Sequence, residues 1–281
     1  MTATGFGDRV REALAGFGPL CVGIDPHEQL LSTWGLEASA AGAREFGLRV
    51  VDAAAGRVGV VKPQVSFFER YGSAGFAALE DVLAAARTAG LIVIADAKRG
   101  DIGSTMDAYA QAWLTPGSPL ESDAMTANPF LGVRALEGAF ELAERAGKGV
   151  FVLAATSNPD AFPSQRATLT DGRTVSASIV AEVSARNTAR TPDASWASIG
   201  LVIGSTVDWT DAGLDAVTPP TPILAPGFGH QGAGPADLHR RFGPSAPLVI
   251  ASESRSLLSA GPAGLAQAID SRVQEYRSSH G

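Results

Sequence analysis

The chain has one cysteine in 281 residues, Cys21, and it lies inside an apolar run. No disulfide can form within the chain, which fits a reducing compartment and sets aside small disulfide-stapled folds. The four histidines, His27, His230, His239 and His280, show no metal-ligand spacing, so no bound metal is implied. The one GxGxxG, GFGHQG (227–232), follows a strand but has no helical pattern directly behind it, which leaves a dinucleotide site unsupported. No Ser–His–acid pattern stands out. Uninterrupted apolar runs stay well short of the ~20 residues of a membrane span. The first residues, MTATGFGDRVREAL, carry charges where a signal peptide needs its apolar centre. Positive charge is scarce too: 22 Lys and Arg against 29 Asp and Glu give a net charge of −7, with no Lys/Arg block. That argues against a nucleic-acid surface while leaving room for a local basic pocket. The expectation is a cytoplasmic protein with neither nucleic acid nor membrane as partner.

What the chain does have is apolar material, 45% of its residues, enough to fill a large core. Eight short runs read as strands: PLCVGID (19–25), VGVVKPQVSF (58–67), LIVIADAK (91–98), SDAMTANP (122–129), GVFVLAATS (149–157), SIGLVIGS (198–205), PILAPG (222–227) and PLVIAS (247–252). They are almost continuously apolar, as expected of parallel strands covered on both faces. Ala-rich segments of helical spacing separate most of them. Phe76, Leu79 and Leu83 mark one helical face, with Gly90 as a stop, and Leu265, Ile269, Val273 and Tyr276 mark another. Eight strand–helix alternations predict an α/β fold, a (β/α)8 TIM barrel forming a single domain over 1–281. A doubly wound open sheet is the main competitor and would normally need fewer strands. One interval, between the fifth and sixth strands, is unusually long. It predicts an insertion over about 160–178, whose TDGR turn between Thr-rich pieces suggests a small hairpin or an excursion over the barrel mouth.

In such barrels chemistry sits where strands end, and here the strand ends collect the polar residues. The first strand ends in Asp25-Pro26, the second carries Lys62 and Gln64, and the third carries Asp96 and Lys98 with Asp101 just beyond. Asp96 and Lys98, two apart in an extended segment, share a face, with Ala95 and Ala97 on the other. Alone, an Asp-x-Lys reads as a buried salt bridge, although such a pair stabilises poorly for its desolvation. With Lys62 on the neighbouring strand and Asp101 nearby it becomes an alternating acid–base array. Arg99 points away and reads as solvated or structural. The glycines of PGFGHQG after strand seven and Arg255 after strand eight stand where this fold habitually holds phosphate.

"DAKRGDI" (96–102) resembles the DxKxxD signature of the orotidine 5′-phosphate decarboxylase family, and its flanks resemble that family's longer bacterial branch. "VGIDP", "VVKPQVSFFE", "TSNPDA", "PGFGHQGA" and "ASESRSLL" resemble further family motifs, in family order, over nearly the whole chain. Gly103 stands where many members have Pro, and Ser254 where others have Gly. The resemblance implies a homodimeric TIM barrel that converts orotidine 5′-monophosphate to UMP and CO₂, the last step of de novo pyrimidine synthesis, with no cofactor. It implies that Lys98 donates the proton to C6, that Asp96 faces the substrate carboxylate, and that Lys62 binds the ribose and holds Asp96. Asp101 and Thr105 would reach the partner's active site. Asp25 would bind a ribose hydroxyl, Ser157 the pyrimidine edge, and Gln231 and Arg255, with the backbone around Pro226, the phosphate.

Three other readings stay open from sequence. A sugar-phosphate decarboxylase with the same array would need Mg²⁺ and a metal-binding carboxylate at the position of Lys62. A Schiff-base aldolase would need Lys98 or Lys62 neutral, against the pull of the flanking carboxylates. A catalytically silent phosphate-binding barrel would keep the scaffold alone.

Overall fold

The computed structural model describes residues 4–192 and 195–279; His280 lies outside them. Eight parallel strands, β1 (Leu20–Ile24), β2 (Val60–Pro63), β3 (Ile92–Arg99), β4 (Ala124–Ala127), β5 (Gly149–Ala155), β6 (Ile199–Ile203), β7 (Ile223–Pro226) and β8 (Val249–Glu253), close in sequence order. β8 pairs with β1 through Leu20–Ala251 and Val22–Glu253. All eight predicted strands are present, and a closed barrel removes every sheet edge. The open-sheet alternative is thereby set aside.

The alternation of side chains along each strand divides the core in two. Cys21, Val60, Ile92, Ile94, Ala124, Phe151, Val202, Leu224 and Ile250 fill the barrel interior. The intervening residues, such as Val61, Val93, Ala95 and Val150, pack outward against the helices. The first helix, Phe6–Phe17, plugs the end where the strands begin: Phe6 is fully buried, edge-on to Phe151 at 5.9 Å. A Cβ on Gly149, the first residue of β5, would strike the Phe6 ring. Since one mouth is sealed by aromatics, polar chemistry is confined to the other.

The anticipated helices form. Gly72–Thr88 buries Leu79 and Leu83, and Gly261–Ser278 buries Leu265, Ile269, Val273 and Tyr276. The predicted second strand overshoots its end. After Pro63 the chain makes a single bridge, Gln64 to Asp96, then turns into the helix Ser66–Glu69 as the Phe68 N–H bonds back to the Val65 carbonyl. The segment after β5 contains a 3₁₀ turn, Pro159–Ala161, a short helix, Phe162–Gln165, and an antiparallel bridge between Thr168 and Thr174 around the TDGR turn. The helix Val175–Arg190 starts inside the span read as insertion because Thr174 caps it, its hydroxyl accepting from the Ala177 N–H at 3.0 Å.

Candidate active site

The inward face of β3 reads Ile92, Ile94, Asp96, so the alternation that builds the barrel core also carries a carboxylate to its open end. Asp96 is 7% exposed and meets three donors. Lys62 Nζ lies 2.9 Å from its Oδ2, Lys98 Nζ lies 2.6 Å from its Oδ1, and Thr126 Oγ1 donates to Oδ1 at 2.9 Å. Burial pushes the Asp96 carboxyl upward, but the two ammonium groups outweigh it and hold the group well below the usual carboxylate range. Lys62, 5% exposed, would likewise be driven neutral by burial; the Asp96 and Asp25 carboxylates reverse that and raise its pKa.

Lys98 reaches Asp96 by a different route from simple strand alternation. Its φ is +49°, the one non-glycine residue with positive φ among the described residues, and the β3–β4 register shifts between Ala95 and Arg99. Bulges of this kind re-aim side chains, and a non-glycine residue held in left-handed backbone marks local strain. The Thr126 hydroxyl accepts the Lys98 N–H at 2.9 Å and secures that turn. The Lys98 side chain is 47% exposed, so its ammonium stands in the cleft while the carboxylate beneath it is sealed.

The cleft, about 360 Å³, is lined by Asp25, Lys62, Asp96, Lys98, Ser157, Pro226, Gln231 and Arg255 from the sequence reading. It is also lined by Thr126, Thr156, Asn158 and Ser254, which that reading did not single out as site residues. Thr126 had a faint signal, a lone hydroxyl in the buried run AMTA. Asp25 Oδ1 and Ser254 Oγ are buried without a hydrogen-bond partner. Orphaned buried polar atoms at a cleft are what a polar ligand would satisfy. Ser157 Oγ donates to Gln231 Oε1 at 2.9 Å, joining the end of β5 to the loop after β7. Gly227 in that loop has φ +108°, and a Cβ there would lie 2.7 Å from Gln231 Oε1 and 2.8 Å from Ser205 Oγ, so only glycine fits.

Asp101 and Thr105 do not join the cleft of their own chain. Asp101 Oδ1 accepts the Ile102 N–H at 2.8 Å, and Thr105 is exposed on the helix Gly103–Leu114. Gly103 opens that helix at φ +54°, a backbone closed to proline. Arg99 is structural, paired with Glu69 at 2.8 Å and lying over the Tyr109 ring. Glu253, in the motif that ends in Arg255, is also structural. It is buried and takes bonds from Tyr276 at 2.9 Å and Ser256 at 2.8 Å, with Arg272 as its ion-pair partner. It thus ties the start of the helix Arg255–Leu258 to the last helix.

Fold and site together define a (β/α)8-barrel enzyme with a lysine–aspartate–lysine array at its open rim and a glycine- and arginine-bearing end suited to an anion. Residues 18–253 match the model of the orotidine 5′-phosphate decarboxylase / HUMPS family, and the chain belongs to that family. A curated orotidine 5′-phosphate decarboxylase of Salinispora tropica is 51% identical over 257 residues, 92% of this chain and 91% of the relative. That of Streptomyces coelicolor is 48% identical over 260 residues, again 92% and 91% of the two chains. A crystal structure from Streptomyces avermitilis superposes with a TM-score of 0.93 at 47% identity, covering 99% of this chain and 97% of that one. The structure of Leishmania donovani OMP decarboxylase gives 0.75 at 28% identity, covering 98% and 99%.

The charge array has a signature in titration. Asp96, depressed in the folded state, contributes stability above the carboxylate's ordinary value of 3.8, and that contribution is lost as pH falls through the folded value. Removing one of its two cations in Lys62→Met raises the folded value and moves the loss to higher pH. Carbon-detected NMR of the Asp96 carboxyl is therefore expected to show a titration midpoint higher in the variant than in the parent. The acid-unfolding midpoint is expected to move the same way. Coincident titrations would contradict the array.

Proposed function

We propose that this protein decarboxylates orotidine 5′-monophosphate to UMP and CO₂ without a cofactor, the closing step of UMP synthesis, in the cytoplasm. The observation that carries the reading is the buried Asp96 carboxylate bonded at once to Lys62 and Lys98 at the mouth of the barrel. Loss of CO₂ from C6 breaks the C6–carboxylate bond and leaves its electron pair on C6, in an orbital that the ring π system does not delocalise. Without an organic electron sink, the charge must be met by groups already in place. Lys98, the ammonium that stands open in the cleft, stabilises the pair and then transfers a proton to C6. Solvent returns a proton to the amine. Asp96 holds the Lys98 ammonium in place through their 2.6 Å bond and faces the departing carboxylate. Lys62 fixes Asp96 and, with Asp25, takes the ribose hydroxyls. Ser157 faces the pyrimidine edge. Gln231, Arg255 and the backbone at Pro226 hold the phosphate, whose binding energy orients the base for reaction.

The Mg²⁺-dependent alternative is less well served by these residues, because Lys62 sets an ammonium against Asp96 where that chemistry needs a further carboxylate. A Schiff base at Lys62 is disfavoured by its raised pKa.

Asp101 and Thr105 act in the site of a second copy in this reading. The surface around them supports a homodimer: Ile102 is 61% exposed, Phe130 88% and Leu131 53%. The two loops they occupy are adjacent, since the Asn128 N–H bonds to the Arg99 carbonyl. Clustered exposed apolar side chains of this size mark interaction surfaces.

Two measurements test the assignments. Lys98→Ala is expected to lower kcat by more than about 10⁴-fold, the combined scale of a lost proton donor and a lost charge stabiliser. UMP affinity, read by calorimetry, should stay within about threefold of the parent. Wild-type turnover by the variant would refute the role of Lys98. Separately, Asp101→Ala and Lys98→Ala are each expected to be impaired alone, and mixing them under subunit exchange should regain activity at one intact site per hybrid dimer. No recovery, with exchange verified, would refute action across the interface.

A further inference from the structure

The segment 159–174, which leads into the helix Val175–Arg190, has no part in the chemistry above, yet its Gln165 reaches the cleft wall. Gln165, half-buried at the end of the short helix Phe162–Gln165, does not line the cleft itself. Its amide makes a two-point contact with Thr156: Oε1 accepts the Thr156 N–H at 2.9 Å and Nε2 donates to Thr156 Oγ1 at 2.9 Å. That hydroxyl then donates to Asn158 Oδ1 at 2.8 Å. Gln165 therefore holds Thr156 directly and Asn158 through it, the two cleft residues on either side of Ser157. Ser157, in the middle, is the residue that donates to Gln231 of the loop after β7.

The segment is itself anchored. Arg166 pairs with Asp211 at 3.1 Å and its guanidinium lies 4.1 Å from the Phe162 ring centroid. Thr174 Oγ1 donates to the Ala212 carbonyl at 2.6 Å, and the Val175 N–H bonds to the Ala167 carbonyl at 3.0 Å. Gln165 thus projects from a piece of chain fastened to the β6–β7 connection onto the end of β5.

We infer that Gln165 is a positioning residue, and that the segment 159–174 braces the β5 end so that Ser157 is held where it meets both the pyrimidine edge and Gln231. An amide suits the task because it accepts and donates through two atoms of one rigid plane, matching the N–H and hydroxyl of a single threonine. A carboxylate could accept the N–H but would have to receive the Thr156 hydroxyl proton, and so release Asn158. The brace acts before substrate arrives: it removes freedom from the loop that would otherwise be lost on binding. The inference rests on the assignment of Ser157 above.

The test is a double-mutant cycle between Gln165→Met, which keeps the bulk and removes both hydrogen bonds, and Ser157→Ala. In the parent background Gln165→Met is expected to lower kcat/KM by about tenfold, mainly through KM, the scale of a small misplacement of a binding group. In the Ser157→Ala background it is expected to change kcat/KM by less than about twofold, because the group being positioned is gone. An equal loss in both backgrounds would assign Gln165 a general structural role and overturn the inference, as would no loss in the parent. If Ser157→Ala impairs turnover but Gln165→Met does not, the assignment of Ser157 stands and the brace alone falls. If Ser157→Ala has no effect, the assignment itself fails and the brace falls with it.

Discussion

The carboxylate of Asp96 is buried at the top of an apolar barrel and shared between two ammonium groups. Neither partner alone would leave this arrangement comfortable. A buried carboxylate without cations would take up a proton, and a buried Lys62 without carboxylates would lose one. The buried charges of Asp96 and Lys62 are each present because of the other. The consequence is a field fixed before any ligand enters, with one ammonium sealed and one open. Lys62 is 5% exposed and fixed against Asp96; Lys98, with nearly half its side chain accessible, stands open to the cleft. Preorganised charge of this kind needs no reorganisation during reaction.

The barrel makes the array affordable by separating its two ends. The aromatic plug of Phe6 and Phe151 closes one mouth, and continuous apolar layers fill the interior below Asp96. The strand N-termini carry their own ion pairs, Lys148–Glu121 and Arg9–Asp123, but the open cleft lies at the strand C-termini. Not every charge there is chemical. Glu253 is more deeply buried than Asp96, but its partners Ser256, Arg272 and Tyr276 belong to the last strand–helix unit, so it fixes the ground on which Arg255 stands.

Much of this was legible in the sequence. Apolar runs without alternation gave the parallel strands, and the order of motifs gave the family. The spacing of Asp96 and Lys98 placed them on one rim. What spacing could not give was the backbone at Lys98. Strand alternation predicts a shared face, but the positive φ and the shifted register turn Lys98 outward into the cleft, and this depends on a hydrogen bond to Thr126 on another strand. The run 58–67 overshoots the end of β2 because Val65 and Phe67 favour strands locally, while the Gln64–Asp96 bridge and the helix after it are set by the neighbouring strand. The segment after β5 reads as extra chain, but its contact through Gln165 is a tertiary fact that no local pattern announces.

Fold and site converge on one reaction, in which CO₂ leaves C6 and a solvent-exchanged proton takes its place with no cofactor between. Turnover of orotidine 5′-monophosphate by chelator-treated protein in D₂O tests this most directly, with the product examined by NMR and mass spectrometry. UMP carrying one deuterium at C6 is expected, formed with one CO₂ per UMP at a rate unchanged by the chelator. Well-folded protein that gives no UMP, or gives it only when a metal is restored, would contradict it.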